Sequence, residues 1–165
     1  MKKIFVILSV LVLFTAQAYA ADAPLVEVLT GKNIGLPDVE GWFNYDARTT
    51  KLNTISGCKG EWIERDYRTA QGVPCHAVRI NGAAPKGWKA KQISGTADDG
   101  LFGEGAVFKS LTVCGFAAEF DRHPSRGCSL AVRLPDSVLT LESKYASEAE
   151  ITQIAETLIK KITGK

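Results

Sequence analysis

The feature that most constrains the fold of this chain is an apolar stripe near its C-terminal end. Six apolar residues recur at helical intervals: Ile151, Ile154, Ala155, Leu158, Ile159 and Ile162. Spacings of three and four residues place them on one side of an α-helix. Ser147 stands three residues before Glu150, which is the pattern of a capping box at a helix start. The sequence therefore predicts an amphipathic helix over residues 147–163 whose apolar side must be buried.

The segments before this stripe predict the strands of a sheet. Sequence typical of strands, with turn residues between, covers 61–69, 75–81, 106–120, 128–134 and 138–143. Strands joined by short turns pair in antiparallel fashion. We therefore expect an α+β fold, a mostly antiparallel β-sheet packed by the C-terminal helix. The order of long strand, hairpin and terminal helix resembles the extrinsic photosystem-subunit-like fold of small periplasmic and lumenal proteins, and this resemblance implies a fold without a function.

The first 20 residues have the anatomy of a secretory signal peptide. A short basic start and an apolar stretch over residues 4–14 precede Ala18-Tyr19-Ala20, a small-residue cleavage site. The apolar stretch is shorter than the roughly 20 residues that a membrane-spanning helix needs. Ala21 offers no thiol for lipid attachment. The sequence thus predicts that residues 21–165 form a single, soluble, exported globular domain in the periplasm, without a membrane anchor.

Export also removes the apparent excess of positive charge. The full chain has 20 basic and 18 acidic residues, and loss of Lys2 and Lys3 leaves 18 of each sign. Nucleic acid and anionic membranes require a basic surface, so we expect neither as a partner. We expect a monomer whose partner, if it has one, is another periplasmic protein.

Four cysteines, Cys58, Cys75, Cys114 and Cys128, would meet an oxidising compartment after export. An even number of cysteines in an exported domain predicts two disulfides, each worth about 2–4 kcal/mol. Three pairings are possible. We favour Cys58 with Cys75 and Cys114 with Cys128, because each pair closes a short segment rich in turn residues. The spacings match neither a redox motif nor a zinc site.

The turn at residues 121–125 holds the candidates for catalysis. In a catalytic interpretation Asp121 would orient His123 as the general base, and Ser125 would be the nucleophile. Three residues of one tight turn rarely align in this way, so a solvated turn is the preferred interpretation. The two histidines have no metal-ligand spacing, and we expect no metal and no cofactor.

Candidate binding residues lie in two other places. Asp98 and Asp99 belong to a glycine-rich acidic loop whose spacing does not match the alternating ligands of a calcium loop, so we interpret it as a solvated recognition loop. Trp42 and Trp88 would mark a binding patch if they are exposed, because aromatic residues dominate interface hot spots. Otherwise these tryptophans belong to the core.

These observations favour a non-enzymatic periplasmic binding protein that acts through a protein surface, of the inhibitor, immunity or envelope-accessory type. Two alternatives stay open. The first is a small periplasmic hydrolase of cell-envelope material that uses His123 or an unidentified carboxylate pair. The second is a carrier of a small hydrophobic ligand held between the helix and the sheet.

Overall fold

The structure is a computed structural model that describes residues 28–31, 35–53, 59–82, 88–90, 95–97 and 105–164. In chain order its elements are β1 (Val28–Gly31), β2 (Phe43–Asn44), β3 (Ala47–Asn53), β4 (Lys59–Arg68), β5 (Pro74–Gly82), β6 (Gly95–Ala97), β7 (Ala106–Val113), β8 (Phe116–His123), β9 (Gly127–Arg133), β10 (Ser137–Ser143) and α1 (Glu148–Thr163). The predicted signal peptide, Cys58, Asp98 and Asp99 lie outside the described residues.

The described strands form one sheet in the order β1-β3-β4-β5-β10-β9-β8-β7-β6, and β2 pairs with β4. Every pair of neighbouring strands is antiparallel. Two meanders, β3 to β5 and β7 to β10, meet where β5 pairs with β10 and Val78 lies opposite Thr140. The predicted α+β class with a mostly antiparallel sheet is therefore confirmed.

Alternation of side chains gives the sheet a covered face and an open face. Along β9 the residues at every second position are buried, and those between them are half-buried. Leu130 of β9 lies opposite both Phe120 of β8 and Leu141 of β10. Together with α1 and with Leu36 and Val39, these residues form one apolar core. We call the side of the sheet that packs against α1 the covered face, and the other side the open face.

Helix α1 begins and ends as the sequence predicts. The backbone N–H of Glu150 donates to Oγ of Ser147 at 3.2 Å, and the backbone N–H of Ser147 donates to the Glu150 carboxylate at 2.7 Å. The helix ends at Gly164, whose N–H donates to the carbonyl of Lys160. Its buried residues are Ile151, Ile154, Ala155, Leu158 and Ile159. The helix packs against β7, β9 and β10, so the predicted helix and its capping box are confirmed.

A buried arginine fastens the segment before β3 to the covered face. Arg65 is 2% exposed. Its guanidinium donates to the carbonyls of Leu36 at 2.8 Å and Tyr45 at 2.6 Å, and it contacts the carboxylate of Asp38. The same group lies 5.3 Å from the centre of the Tyr67 ring. A single side chain thus holds three points of this segment on β4.

The predicted disulfides are not supported. Cys75, Cys114 and Cys128 are free thiols. Cys114 precedes β8, whereas Cys128 follows it and lies opposite Arg122. The eight residues of β8 span about 25 Å, and a disulfide needs Cα atoms less than about 7 Å apart. The predicted pair of Cys114 with Cys128 is therefore wrong, because the two residues flank different turns at opposite ends of one strand.

In the part of the chain that the structure describes, no helix has the length and apolar character needed to cross a membrane.

Candidate binding surface

A row of polar side chains crosses five strands on the open face. Strand register places them opposite one another in the order Asp66, His76, Glu142, Ser129 and Asp121. Residues paired in this way project from the same face of a sheet, with Cβ atoms about 4.5–5.5 Å apart. Residues from distant parts of the chain thereby form one continuous polar row.

Hydrogen bonds organise the two ends of this row. Nδ1 of His76 lies 2.8 Å from Oδ1 of Asp66, and Oγ of Ser129 donates to Oδ2 of Asp121 at 2.7 Å. Between them, the exposed carboxylate of Glu142 makes no hydrogen bond or ion pair with another described residue. The centre of the row therefore offers an unpaired negative charge to a group from outside.

Two cavities lie along the row and meet at Glu142. The larger has a volume of about 470 Å³, and its lining includes Tyr45, Asp66, His76, Glu142, Lys144 and Tyr145. The smaller has a volume of about 310 Å³, and its lining includes Asp121, His123, Ser129 and Glu142. We call the larger cavity, as defined by its six residues above, the open-face groove.

Exposed aromatic rings border the open-face groove. Tyr45 and Tyr145 line it and are 44% and 72% exposed. Phe43 is 61% exposed, and its ring packs edge to face on Tyr45 with 4.7 Å between centroids. Large rings left in water beside a concave surface are typical of binding sites. The groove thus combines apolar walls with a polar floor.

Within the described residues, the groove places no hydroxyl or thiol against its imidazole. Asp66 and His76 form a carboxylate–imidazole pair, yet no hydroxyl or thiol of a described residue hydrogen-bonds the imidazole. Ser129 lies two strands away, and neighbouring strands are about 4.8 Å apart. A separation near 10 Å is beyond the reach of proton transfer by hydrogen bond.

The structure brings two of the predicted catalytic residues together. The backbone N–H of Ser125 donates to Nδ1 of His123 at 3.2 Å, and Oγ of Ser125 lies 3.0 Å from the same nitrogen. Asp121, the predicted orienting acid, accepts a hydrogen bond from Ser129. A hydrogen bond from a serine to an imidazole two residues earlier is a local contact that stabilises the turn. Ser125 is exposed to water there.

The predicted binding residues occupy other places. Trp42 is half-buried and packs against the core, with its ring 5.8 Å from that of Tyr67. Trp88 is also half-buried. Among the described residues, no group of three or more histidine, cysteine, aspartate or glutamate side chains is arranged to hold a metal ion.

Burial keeps the thiols of the covered face protonated. Burial, together with the neighbouring Cys128, raises the pKa of the Cys75 thiol to about 12. Burial also raises the pKa of Cys128, whose Sγ donates to the carbonyls of Ser143 at 3.5 Å and Ala146 at 3.3 Å. Because the thiolate is the reactive form, these two cysteines act as packing residues.

Sequence reasoning missed the open-face groove. A usable signal was present in Asp66-Tyr67-Arg68 and Glu142-Ser143-Lys144, where a buried residue separates an exposed acid from an exposed base. This alternation indicates strands with one outward, charged side. The sequence does not indicate that β4 and β10 are separated in the sheet by a single strand, β5.

The chain matches no protein-family model, no curated protein sequence and no solved structure. Its function therefore has to be inferred from the open face itself.

Proposed function

We propose that this chain is a non-enzymatic, exported binding protein that acts through the open-face groove. The observation that carries the proposal is the concentration of exposed aromatic rings and unpaired charge on a face of the sheet that α1 leaves free. The helix packs on the covered face, and the rings of Tyr45 and Tyr145 stand beside the groove on the other.

The composition of the groove supports a protein partner. Tyrosine supplies a large, rigid contact area and is enriched among residues that dominate binding energy. Charged groups such as Glu142 and Lys144 favour the correct partner and orientation more than they add raw affinity. Two of the rings that line the cavity are exposed, as expected for a surface that receives another protein.

The periplasm is the compartment that fits this proposal. Its support is the basic start, apolar stretch and cleavage site of residues 1–20. Disulfides form no part of the proposal, because the described cysteines are free.

A hydrolase is a second candidate, supported by the 3.0 Å contact between Oγ of Ser125 and Nδ1 of His123. If this pair is catalytic, His123→Ala abolishes hydrolysis of envelope material while the fold is retained. Unchanged activity in that variant removes the pair from consideration. The hydrophobic-carrier alternative gains no such support, since neither of these two cavities is lined by a residue of α1.

Site-specific photo-crosslinking tests the binding proposal. A crosslinking residue at Tyr145 samples the groove, and one at Gln153 on the exposed side of α1 is the matched control. We expect position 145 to crosslink, in the periplasm, to a protein partner in stoichiometric amount, and position 153 to give none. Equal crosslinking at both positions, or none at either, would contradict the proposal.

A further inference from the structure

Two strands of the open face repeat the same order of charges. β4 carries Asp66 and then Arg68, and Glu142 of β10 is followed by Lys144, the first residue after that strand. Both strands pair antiparallel with β5, so they run in the same direction. Asp66 and Glu142 both lie opposite His76, which puts the two acids in one row, and each base follows its acid by two residues at the border of the same cavity.

The four charges form a rectangle with one negative and one positive side. Two residues along a strand span about 7 Å, and two strand spacings about 10 Å. All four side chains line the open-face groove or its edge. The acids lie toward the middle of the sheet and the bases toward the strand ends.

Most of these charges have no partner within the described residues. Arg68 and Glu142 make no hydrogen bond or ion pair there, and Lys144 contacts only the ring of Tyr145, at 6.0 Å. Asp66 is paired with His76 through one oxygen. Opposite charges on one strand thus stay apart and face outward.

This pattern is complementary to itself. A twofold axis parallel to the two rows, and midway between them, exchanges the acidic row with the basic row. It therefore sets Glu142 of one copy against Lys144 of the other, and Asp66 against Arg68, with each contact made twice, as in isologous dimers. The same operation brings the exposed rings of Tyr45, Tyr145 and Phe43 to the border of the contact.

We propose that the open-face groove also binds a second copy of this chain, so that the free protein is a twofold homodimer rather than the monomer expected from the sequence. The inference rests on the proposed function in taking this face as the interaction surface. It adds that self-association covers the surface until another partner displaces the second copy. Attraction between opposite charges orients the two copies, and burial of the rings excludes water from the contact.

Charge reversal on the purified protein tests this inference by sedimentation velocity over a wide range of concentration. We expect the wild-type protein to self-associate, and more weakly at high salt because exposed ion pairs are screened. Glu142→Lys and Lys144→Glu should each weaken the dimer about 30-fold, since each reversal turns two attractive contacts into two repulsive ones. Both side chains are exposed, so the fold is retained.

Combining the two charge reversals is the decisive test of the proposed contact between Glu142 and Lys144. An equimolar mixture of Glu142→Lys and Lys144→Glu, and the double variant that carries both changes, should dimerise like wild type, because opposite charges face each other again. Glu156→Lys is the matched control, with the same charge change on α1, and should leave the dimer unchanged.

A monomer at every concentration, or a mixture no more associated than the single variants, would overturn self-association. A different protein crosslinked at position 145 would still support the binding function in that case. The opposite result is also informative. If the mixture of the two variants dimerises and position 145 crosslinks only to another copy of this chain, self-association is supported and the separate partner is contradicted.

Discussion

Gly127, at the start of β9, shows how one missing side chain allows two strands to approach. Its φ is 93°, and a Cβ at this position would collide with the backbone of Ser143 and Lys144. Gly115 has a similar φ of 81° in the hairpin turn between β7 and β8, but a Cβ there meets nothing within 4 Å. Substitutions at these two glycines therefore distinguish the free-energy cost of backbone strain alone from the added cost of a steric collision.

We expect Gly127→Ala to lower the free energy of unfolding by about 2–4 kcal/mol, because strain and collision add. Gly115→Ala should cost only about 1 kcal/mol, from strain alone. Urea denaturation of the two variants measures both values. Equal losses would show that the close approach of β9 to Ser143 and Lys144 does not occur.

The buried thiol of Cys75 predicts a dependence of stability on pH. Its pKa is 9.0 when unperturbed and about 12 in the folded chain, so between these values the folded state holds a proton that the unfolded state has lost. The free energy of unfolding therefore falls as pH rises from 9 toward 12, and below pH 9 the contribution is fully present.

Urea denaturation across this pH range should show a smaller decline for Cys75→Ala than for wild type. Cys114→Ala, which removes an exposed thiol, is the control and should leave the decline unchanged. Thiol labelling adds a direct check. Cys114 should react in the native protein, and Cys75 and Cys128 only after unfolding, whereas a chain without reactive thiols after unfolding would restore the disulfide prediction.

Among the elements, the segment before β3 depends on one residue of β4. Arg65→Met keeps the approximate volume but removes the donor to the carbonyls of Leu36 and Tyr45 and the cation beside Asp38. Because the side chain of Asp38 is 44% exposed, the loss comes mainly from the carbonyl acceptors left without this donor and is about 1–3 kcal/mol. We expect that loss in urea denaturation, together with faster proteolysis between residues 35 and 45.

Arg48→Met is the control, since it removes an exposed arginine of the neighbouring strand β3 and should change stability by less than about 0.5 kcal/mol. Arg65→Lys should fall between the two, because lysine cannot present the planar fork of donors. A loss in Arg65→Met no larger than in Arg48→Met would contradict the anchoring role.

The elements also differ in how far their sequences determine them. The stripe from Ile151 to Ile162 and the capping box of Ser147 are local patterns, so the helix could be predicted to within one residue. Turn residues could separate most strands for the same reason, but the single strand predicted over 106–120 is wrong, because a turn at Cys114 and Gly115 divides it into β7 and β8. The row from Asp66 to Asp121 could not be predicted, because it depends on β5 pairing with β10 rather than with a strand adjacent in sequence. The predicted Cys114–Cys128 pair is wrong because the length of β8 separates the two cysteines.

At the scale of the whole molecule, the proposed binding surface and the helix α1 lie on opposite sides of one sheet. Tyr145 is 72% exposed and belongs to the open-face groove, so Tyr145→Ala should change stability by less than about 0.5 kcal/mol. The same change should weaken capture of the crosslinked partner about 30-fold, as expected for an aromatic hot spot. Gln153→Ala on α1 should alter neither quantity, and a loss of stability in Tyr145→Ala that matched its loss of binding would refute this separation.

The pairing of β5 with β10 has a consequence for the order of events during synthesis. The β3–β5 meander precedes the second meander along the chain, so the hydrogen-bonding edge of β5 stays open until β10 has been made. Contacts between distant segments form slowly, and an unpaired strand edge is prone to aggregation while it waits. We therefore expect the central seam of the sheet to close late, so that the newly made chain stays incompletely folded and prone to aggregation until β10 has been made.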